Sequence, residues 1–294
     1  MKKGDLEMKN KQIMYVLLFI SPLLIGISIF TIYPLIYGIN LSFYASRGML
    51  PPKFVGFQNY IELFQRGLTA TVFYNGIYFA ILAIPVGLIL GLGLALLLDN
   101  SFKMNGIFRT AIYLPSVVPG VAMIMIFMLL FSPSSGIIDM VTRFLGIGSP
   151  GWINDPNLAK ITYVIWAQWG VGGSTLIFLG GLQNIPRSYY EAARIDGAGA
   201  IRRFFSITLP LLSPSIFLNL LFATIGDLQL FMQAYIAPGP GNSTLTPVLD
   251  IYNHAFNYFQ FGFASAESVM LFLLILAISA IIWITQKWWV VYEQ

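Results

Sequence analysis

The sequence predicts an all-α, polytopic membrane protein with six transmembrane helices and both termini on the cytoplasmic side. Three observations carry that expectation. The first is composition: 57% of the 294 residues are hydrophobic and 10% are charged, whereas a soluble globular domain carries about 25% charged residues. The second is a set of charge-free runs at 12–46, 67–98, 110–138, 161–186, 204–226 and 268–286. Each exceeds or approaches the roughly 20 residues that cross a bilayer core. The third is the placement of basic residues. With the N-terminus inside, eleven of the sixteen Lys and Arg fall on the inner side and five on the outer, the asymmetry of the positive-inside rule.

The first run follows Lys2, Lys3, Lys9 and Lys11 and continues through Tyr33-Pro34-Leu35. A cleaved signal peptide has an apolar core of only about 7–15 residues, so this run reads as a retained anchor helix. Residues 45–66, with Phe54-Val55-Gly56-Phe57-Gln58-Asn59-Tyr60, read as a compact outer loop. The chain thus divides into an anchor and first outer loop, 1–66, and a main transmembrane domain, 67–290. Within the latter, residues 146–158 are turn-rich and separate the third run from the fourth. The fifth run stops at Asp227, and its helix is expected to continue to about Tyr235, because Pro238 to Ser243 must be loop. The aromatic stretch Tyr252 to Phe263 then leads into the last run.

Several chemistries are excluded by what the chain lacks. It has no cysteine, hence no disulfide or thiol chemistry, and a single histidine, His254, hence no multi-histidine metal site. His254 reads as a solvated or aromatic-packed loop residue. No catalytic constellation exists. No Gly-Lys pair occurs, so there is no phosphate-binding loop; ATP-driven work would need a separate subunit. No basic stripe interleaved with aromatics points to nucleic acid.

The most informative polar stretch is 187–209, between the fourth and fifth runs. Ser188-Tyr189-Tyr190-Glu191 has the spacing of a capping box opening a short helix, just after Pro186. Gly197 stands where a left-handed residue would end that helix. Ala198 to Ser206 would form a second short helix, and Leu209-Pro210 would start the next long one, with proline tolerated in its first turn.

The spacing Glu191-Ala192-Ala193, three residues, Gly197, nine residues, Ile207-x-Leu209-Pro210 resembles the EAA loop of the membrane subunits of ATP-binding-cassette importers. Other stretches are similar to the carbohydrate branch of that family: Phe54 to Tyr60, Phe108 to Pro115, Gly181 to Pro186, and the run from Thr244 through Phe261 to Ala266. The Phe54 to Tyr60 stretch and the lack of a glycine-rich C-terminal tail resemble the maltose-F-type half of a two-permease pair. Where that family has Gly-Gly-Pro after the fifth helix, this chain has Pro238-Gly239-Pro240.

The resemblance implies the type I importer permease fold and a sugar-import function. It implies a second homologous permease, two ATPase subunits that carry ATP and Mg, an extracytoplasmic solute-binding protein and a place in the cell membrane. It also implies that Glu191, Ala192, Ala193, Asp196, Gly197, Ala198, Arg202, Ile207, Leu209 and Pro210 form the ATPase-coupling loop.

Polar groups inside spans are costly in lipid and so face cavities. On that ground Trp166, Gln168, Trp169 and Ser174 in the fourth run, with Gly173 giving close approach, are substrate-facing candidates, as are Asn219, Asp227, Gln229 and Gln233 on the fifth. The tryptophans equally suit an interfacial aromatic belt, and the glycines equally suit helix packing. Two competing functions share part of this evidence. An importer of another branch would keep the coupling loop but lack the outer-loop motifs. A secondary transporter would need ionisable groups at mid-membrane, where only Asp227 qualifies.

Overall fold

The computed structural model describes residues 3–48, 51–99 and 105–292, and among these the regular secondary structure is helical apart from one small hairpin and one isolated bridge. The chain forms two compact units, one from the residues up to 65 together with 252–269, the other from 66–251 together with 270 onward.

The first unit opens with helix α1 (Lys3–Ile27), a π-helical turn (Ser28–Ile32) and α2 (Tyr33–Leu41). Pro34 cannot donate a backbone hydrogen bond, and the helix widens just ahead of it, the Tyr33 N–H reaching back to the Ser28 carbonyl. The apolar stretch Met14–Leu41 buries none of its most hydrophobic window, so its side chains are free to meet lipid. Strands β1 (Tyr44–Ala45) and β2 (Lys53–Phe54) then pair antiparallel, and α3 (Gln58–Gln65) folds back on them. Asn59 holds this corner together, donating to the carbonyls of Ser42 at 2.7 Å and Tyr44 at 3.0 Å. The Tyr60 hydroxyl meets that of Ser42 at 2.7 Å. A Cβ on Gly262 would lie 1.8 Å from the Tyr44 carbonyl oxygen, so no other residue fits there. His254 is aromatic-packed, its ring centroid 4.5 Å from that of Phe263, and its Nδ1 lies 2.8 Å from the Gln260 side chain.

The second unit is organised around α4 (Gly67–Asp99), 33 residues of almost unbroken apolar sequence. The expected third span is not one straight helix. It is α5 (Asn105–Val117) and α6 (Gly120–Leu130), meeting at 98°. Pro119 lacks the donor to continue the first helix and pushes Val118 out of the helical region. Next come α7 (Ile137–Phe144) and α8 (Pro156–Ala167). Asp155 caps α8, accepting from the N–H groups of Asn157 at 2.8 Å and Leu158 at 3.0 Å, with Pro156 in the first turn. The loop between α6 and α8 is knotted around Asp139, which accepts from the Ser149 hydroxyl, the Ser134 N–H and Arg143. These bonds, that from Ser149 first, hold the Asp139 carboxyl below its ordinary range.

The fourth run is likewise broken, into α8, a 3₁₀ turn (Gln168–Gly170) and α9 (Gly172–Asn184). After it come α10 (Arg187–Ile195), α11 (Ala200–Arg203), a π-helical turn (Phe204–Thr208) and α12 (Leu209–Leu211). The expected second short helix, 198–206, therefore starts later and runs on into the π turn. The long helix α13 (Ser213–Leu228) begins beyond Leu209-Pro210, at a second proline, Pro214. It does not run unbroken to Tyr235: the chain leaves the helix at Gln229 to Phe231 and resumes as α14 (Met232–Ile236). Loop geometry follows as expected, with Gly241 and Asn242 both at φ near +60°. Then come α15 (Pro247–Tyr252) and the final helix α16 (Phe261–Trp289). Four helical stretches among the described residues are long and apolar enough to cross a bilayer, Met14–Leu41, Gly67–Asp99, Ser213–Ile236 and Phe261–Trp289, or five if the bent α5–α6 pair is one span.

Two apolar cores stabilise this unit. One is aromatic, with Phe79, Phe127, Phe131, Tyr163 and Trp166 packed at centroid distances of 5.5 to 6.1 Å, the Phe131 ring tilted or edge-on and the others stacked. The other is aliphatic, where Ala95 and Leu98 of α4 meet Leu179, Leu182 and Leu212. Asn75, fully buried on α4, pins the loop after α14 by donating to the carbonyls of Asn242 at 3.0 Å and Leu245 at 2.9 Å.

Candidate functional site

Two regions of the second unit gather most of the site residues expected from the sequence. The first is a cavity of about 390 Å³ walled by α4, the α8–α9 junction and α13. Glycine spacing lets these helices approach. Gly87 and Gly91 stand four apart on one face of α4. A Cβ on Gly91 would sit 2.6 Å from Ser174 Oγ, and one on Gly172 would sit 2.5 Å from the Ile112 carbonyl oxygen. The 3₁₀ turn at Gln168–Gly170 interrupts the helix here, and Gln168 and Gly170 line the opening.

Of the candidates, Gln168, Gly173, Asn219 and Asp227 are brought together on the cavity wall, with Ser174 beside them. Asn219 and Asp227 stand eight residues apart on one face of α13, with Ala223 between. Gln168 Nε2 donates to the Val164 carbonyl at 2.9 Å and the Ala83 carbonyl at 3.4 Å. Asn219 Nδ2 donates to the Ser215 carbonyl at 3.1 Å. Ser174 Oγ is buried without a partner among the described residues.

The remaining candidates lie elsewhere. Trp166 is fully buried in the aromatic core, stacked 5.5 Å from both Phe127 and Tyr163. Trp169 packs edge-on against Phe127 at 5.3 Å. Gln229 is exposed in the helix break, and Gln233 is half-buried on α14. None of these four lines the cavity. Sequence reasoning missed Gly87 and Phe222 as wall residues; the Gly87–Gly91 spacing was the available signal for the first.

The second region is the loop 187–209. Helix α10 ends in a full Schellman motif: the Ala198 N–H bonds the Ala193 carbonyl at 2.8 Å, and the Gly197 N–H bonds that of Arg194 at 3.0 Å. Gly197 sits at φ +75°, as its place in the sequence predicted. The expected capping box is absent. Helix α10 starts at Arg187, its N-cap is Pro186, and no side chain caps it. Ser188 therefore lies inside the first turn, where it cannot serve as a cap, and Glu191 is left exposed.

The loop is tied into a unit by the Tyr190 hydroxyl, 3.0 Å from Thr208 Oγ1. Glu191, Ala192, Asp196, Gly197 and Arg202 are exposed, while Ala193, Ala198, Ile207, Leu209 and Pro210 are half-buried. Ile207 packs on the aliphatic core and anchors the loop to the helices. Glu191, Arg187 and Arg194 line a cleft of about 750 Å³ that reaches Leu96 and Asp99 at the end of α4. The sequence pattern did not single out the loop's apolar outer surface: Ile195 is 87% exposed and Ile201 77%.

Residues 83–289 match the family model for the binding-protein-dependent transport system inner membrane component. The chain belongs to this family. The matched span contains the loop and the whole cavity wall. Among its relatives is the lactose transport system permease protein LacF of Rhizobium radiobacter, 38% identical over 89% of this chain and 90% of that one. Another is the sulfoquinovosyl glycerol transport system permease protein SmoG of Agrobacterium fabrum, 36% identical over 90% of this chain and 87% of that one. In fold, the chain is similar to a bacterial alginate ABC transporter solved in complex with its pentasaccharide-bound periplasmic protein. That match has a TM-score of 0.81 at 21% identity and covers 96% of each chain. The chain is thus a membrane-integral transport subunit of the ABC permease family.

Proposed function

We propose that this chain is one of two permease subunits of an ATP-driven sugar importer of the cell membrane. Its relatives that are named for a cargo include a lactose and a sulfoquinovosyl glycerol permease, and its own cavity offers hydroxyl-binding groups of the right size class. In this reading the chain crosses the membrane six times. The broken pairs α5–α6 and α8–α9 count as spans three and four, and both termini and the loop 187–209 are cytoplasmic. The domain 67–290 forms half of the pathway, a homologous permease forms the other half, and residues 1–66 anchor it. An extracytoplasmic solute-binding protein delivers the sugar.

The observation that carries the coupling role is the exposed apolar pair Ile195 and Ile201 on a loop stiffened by the Schellman motif and the Tyr190–Thr208 bond. Leaving a side chain of that size in water forgoes roughly 1.5–3 kcal/mol, so such residues on a rigid protrusion mark a partner surface. The partner is a separate ATPase that binds ATP and Mg. When ATP closes the ATPase dimer, the loop moves as a lever and biases the permease pair between inward- and outward-open states. Gln168, Ser174, Asn219 and Asp227 would grip sugar hydroxyls in transit.

The test is affinity purification of this chain from its native membrane, followed by reconstitution. Co-purification of an ATPase and a second permease, with uptake of a glycoside that requires ATP and a solute-binding protein, is the expected result. A chain that purifies alone and transports alone, driven by an ion gradient, would contradict it.

A further inference from the structure

We infer that this chain's half of the pathway selects uncharged, hydroxyl-rich glycosides and excludes anionic ones. The inference rests on the glycan-importer reading and goes beyond it, because the family leaves the charge of the cargo open. Lactose is neutral, whereas sulfoquinovosyl glycerol carries a sulfonate, and relatives are named for each.

The cavity wall decides the point. Among the described residues, none that lines it is Lys, Arg or His, and the one ionisable side chain on its wall is Asp227. An anion entering the cavity would face a carboxylate with no wall cation to offset it. In a partly desolvated space like charges a few ångströms apart repel far more than in water, and an anion would leave its hydration shell without compensation. The neutral groups lean the same way. Both N–H groups of the Gln168 amide are engaged by backbone carbonyls, and one of the two on Asn219 is, so two carbonyl oxygens but only one amide N–H are left for a ligand. With Asp227 they make a wall richer in acceptors than in donors, and the Ser174 hydroxyl can serve as either. A polyol presents many O–H donors to such a wall, and its bonds to the carboxylate are the stronger, charge-assisted kind. Carboxylates, sulfonates and phosphates present only acceptors.

The experiment is equilibrium dialysis of the complex of this chain with its partner permease and ATPases, held in lipid nanodiscs. The solute-binding protein is omitted so that only the membrane cavity selects. The probe is an equimolar millimolar mixture of maltose, lactose and trehalose with glucuronate, sn-glycerol 3-phosphate and sulfoquinovosyl glycerol, and retained species are quantified by mass spectrometry. The wild-type complex is expected to retain at least one neutral probe at least tenfold over every anionic one. Asp227→Asn keeps the size and removes the charge, and is expected to narrow that ratio at least tenfold. Wild-type retention of an anion equal to or above the neutral probes overturns the inference, and this arm stands even if the variant fails to assemble. An assembled Asp227→Asn complex with an unchanged ratio also overturns it. Retention of no probe overturns it too. The glycan reading falls as well only if that complex, given its solute-binding protein and ATP, takes up no glycoside.

Discussion

The loop 187–209 and the cavity differ in how their shape is determined. The loop is fixed by neighbours in sequence: one glycine at φ +75°, two backbone bonds that reach three and five residues back, and one side-chain bond across 18 residues. The cavity is fixed by residues far apart, α4 against α9 and α13, with Gln168 85 positions along the chain from the Ala83 carbonyl it meets. Local determination gives a rigid part that can be moved as a whole without repacking. Non-local determination gives a space whose dimensions change when the helices around it shift. The proposed transport cycle needs both, a lever and a space the lever can alter.

That contrast is broken most severely at Gly172. A Cβ there meets backbone of α5, the Ile112 carbonyl oxygen at 2.5 Å and the Tyr113 Cα at 3.1 Å, and backbone cannot rotate away. Gly172→Val is expected to abolish assembly, read as loss of the monodisperse complex on gel filtration. Next in size is Gly197→Val. Nothing lies within 4 Å of a Cβ at that position, so the helices stay folded, but a β-branched residue at positive φ is a strong outlier. The end of α10 would be re-aimed. The chain should still insert and fold, while ATPase co-purification and uptake are lost; wild-type values of both would remove the lever role.

Asp227→Ala is expected to leave assembly and ATPase association intact and to lower uptake at least tenfold. Normal transport, or failure to assemble, would show that the residue serves structure instead. Tyr190→Phe deletes the bond to Thr208 and should destabilise the loop by about 1 kcal/mol, visible as faster amide exchange over 187–209 with little change elsewhere. The smallest effect is expected at Glu191. No cap depends on it, so Glu191→Ala should change thermal stability by less than about 0.5 kcal/mol. Any loss of ATPase binding in that variant is then a contact effect.

The same contrast explains what was legible in the sequence. Gly197 at positive φ and the Pro238–Ser243 loop are local signals that appear where expected; of the six apolar runs, the first, second, fifth and sixth give helical stretches long enough to cross a bilayer, whereas the third is bent and the fourth is broken. The capping box was a local signal that misled: Pro186, pre-set for the turn before a helix, starts α10 one residue ahead of Ser188 and leaves the hydroxyl inside. The breaks at Val118–Pro119 and Gln168–Gly170 were legible only in part. Pro119 was visible, but charge-free runs report hydrophobicity and not straightness, so a bend of 98° is silent in them. Trp166 and Gln168 show the limit most clearly. Two residues apart on one run, they face the aromatic core and the cavity respectively, and only the packing of α4 and α6 decides which side is which.

The most direct test of the central claim uses the absence of native cysteine. Ile195→Cys places a single thiol on the exposed tip of the loop, and Phe144→Cys, 90% exposed on α7, places one on the face assigned to the outside. In intact cells a membrane-impermeant maleimide should label Phe144→Cys and spare Ile195→Cys, and a short bifunctional cross-linker should join Ile195→Cys to the ATPase subunit alone. Labelling of Ile195→Cys from outside, or a functional complex in which its thiol never reaches the ATPase, would contradict the account.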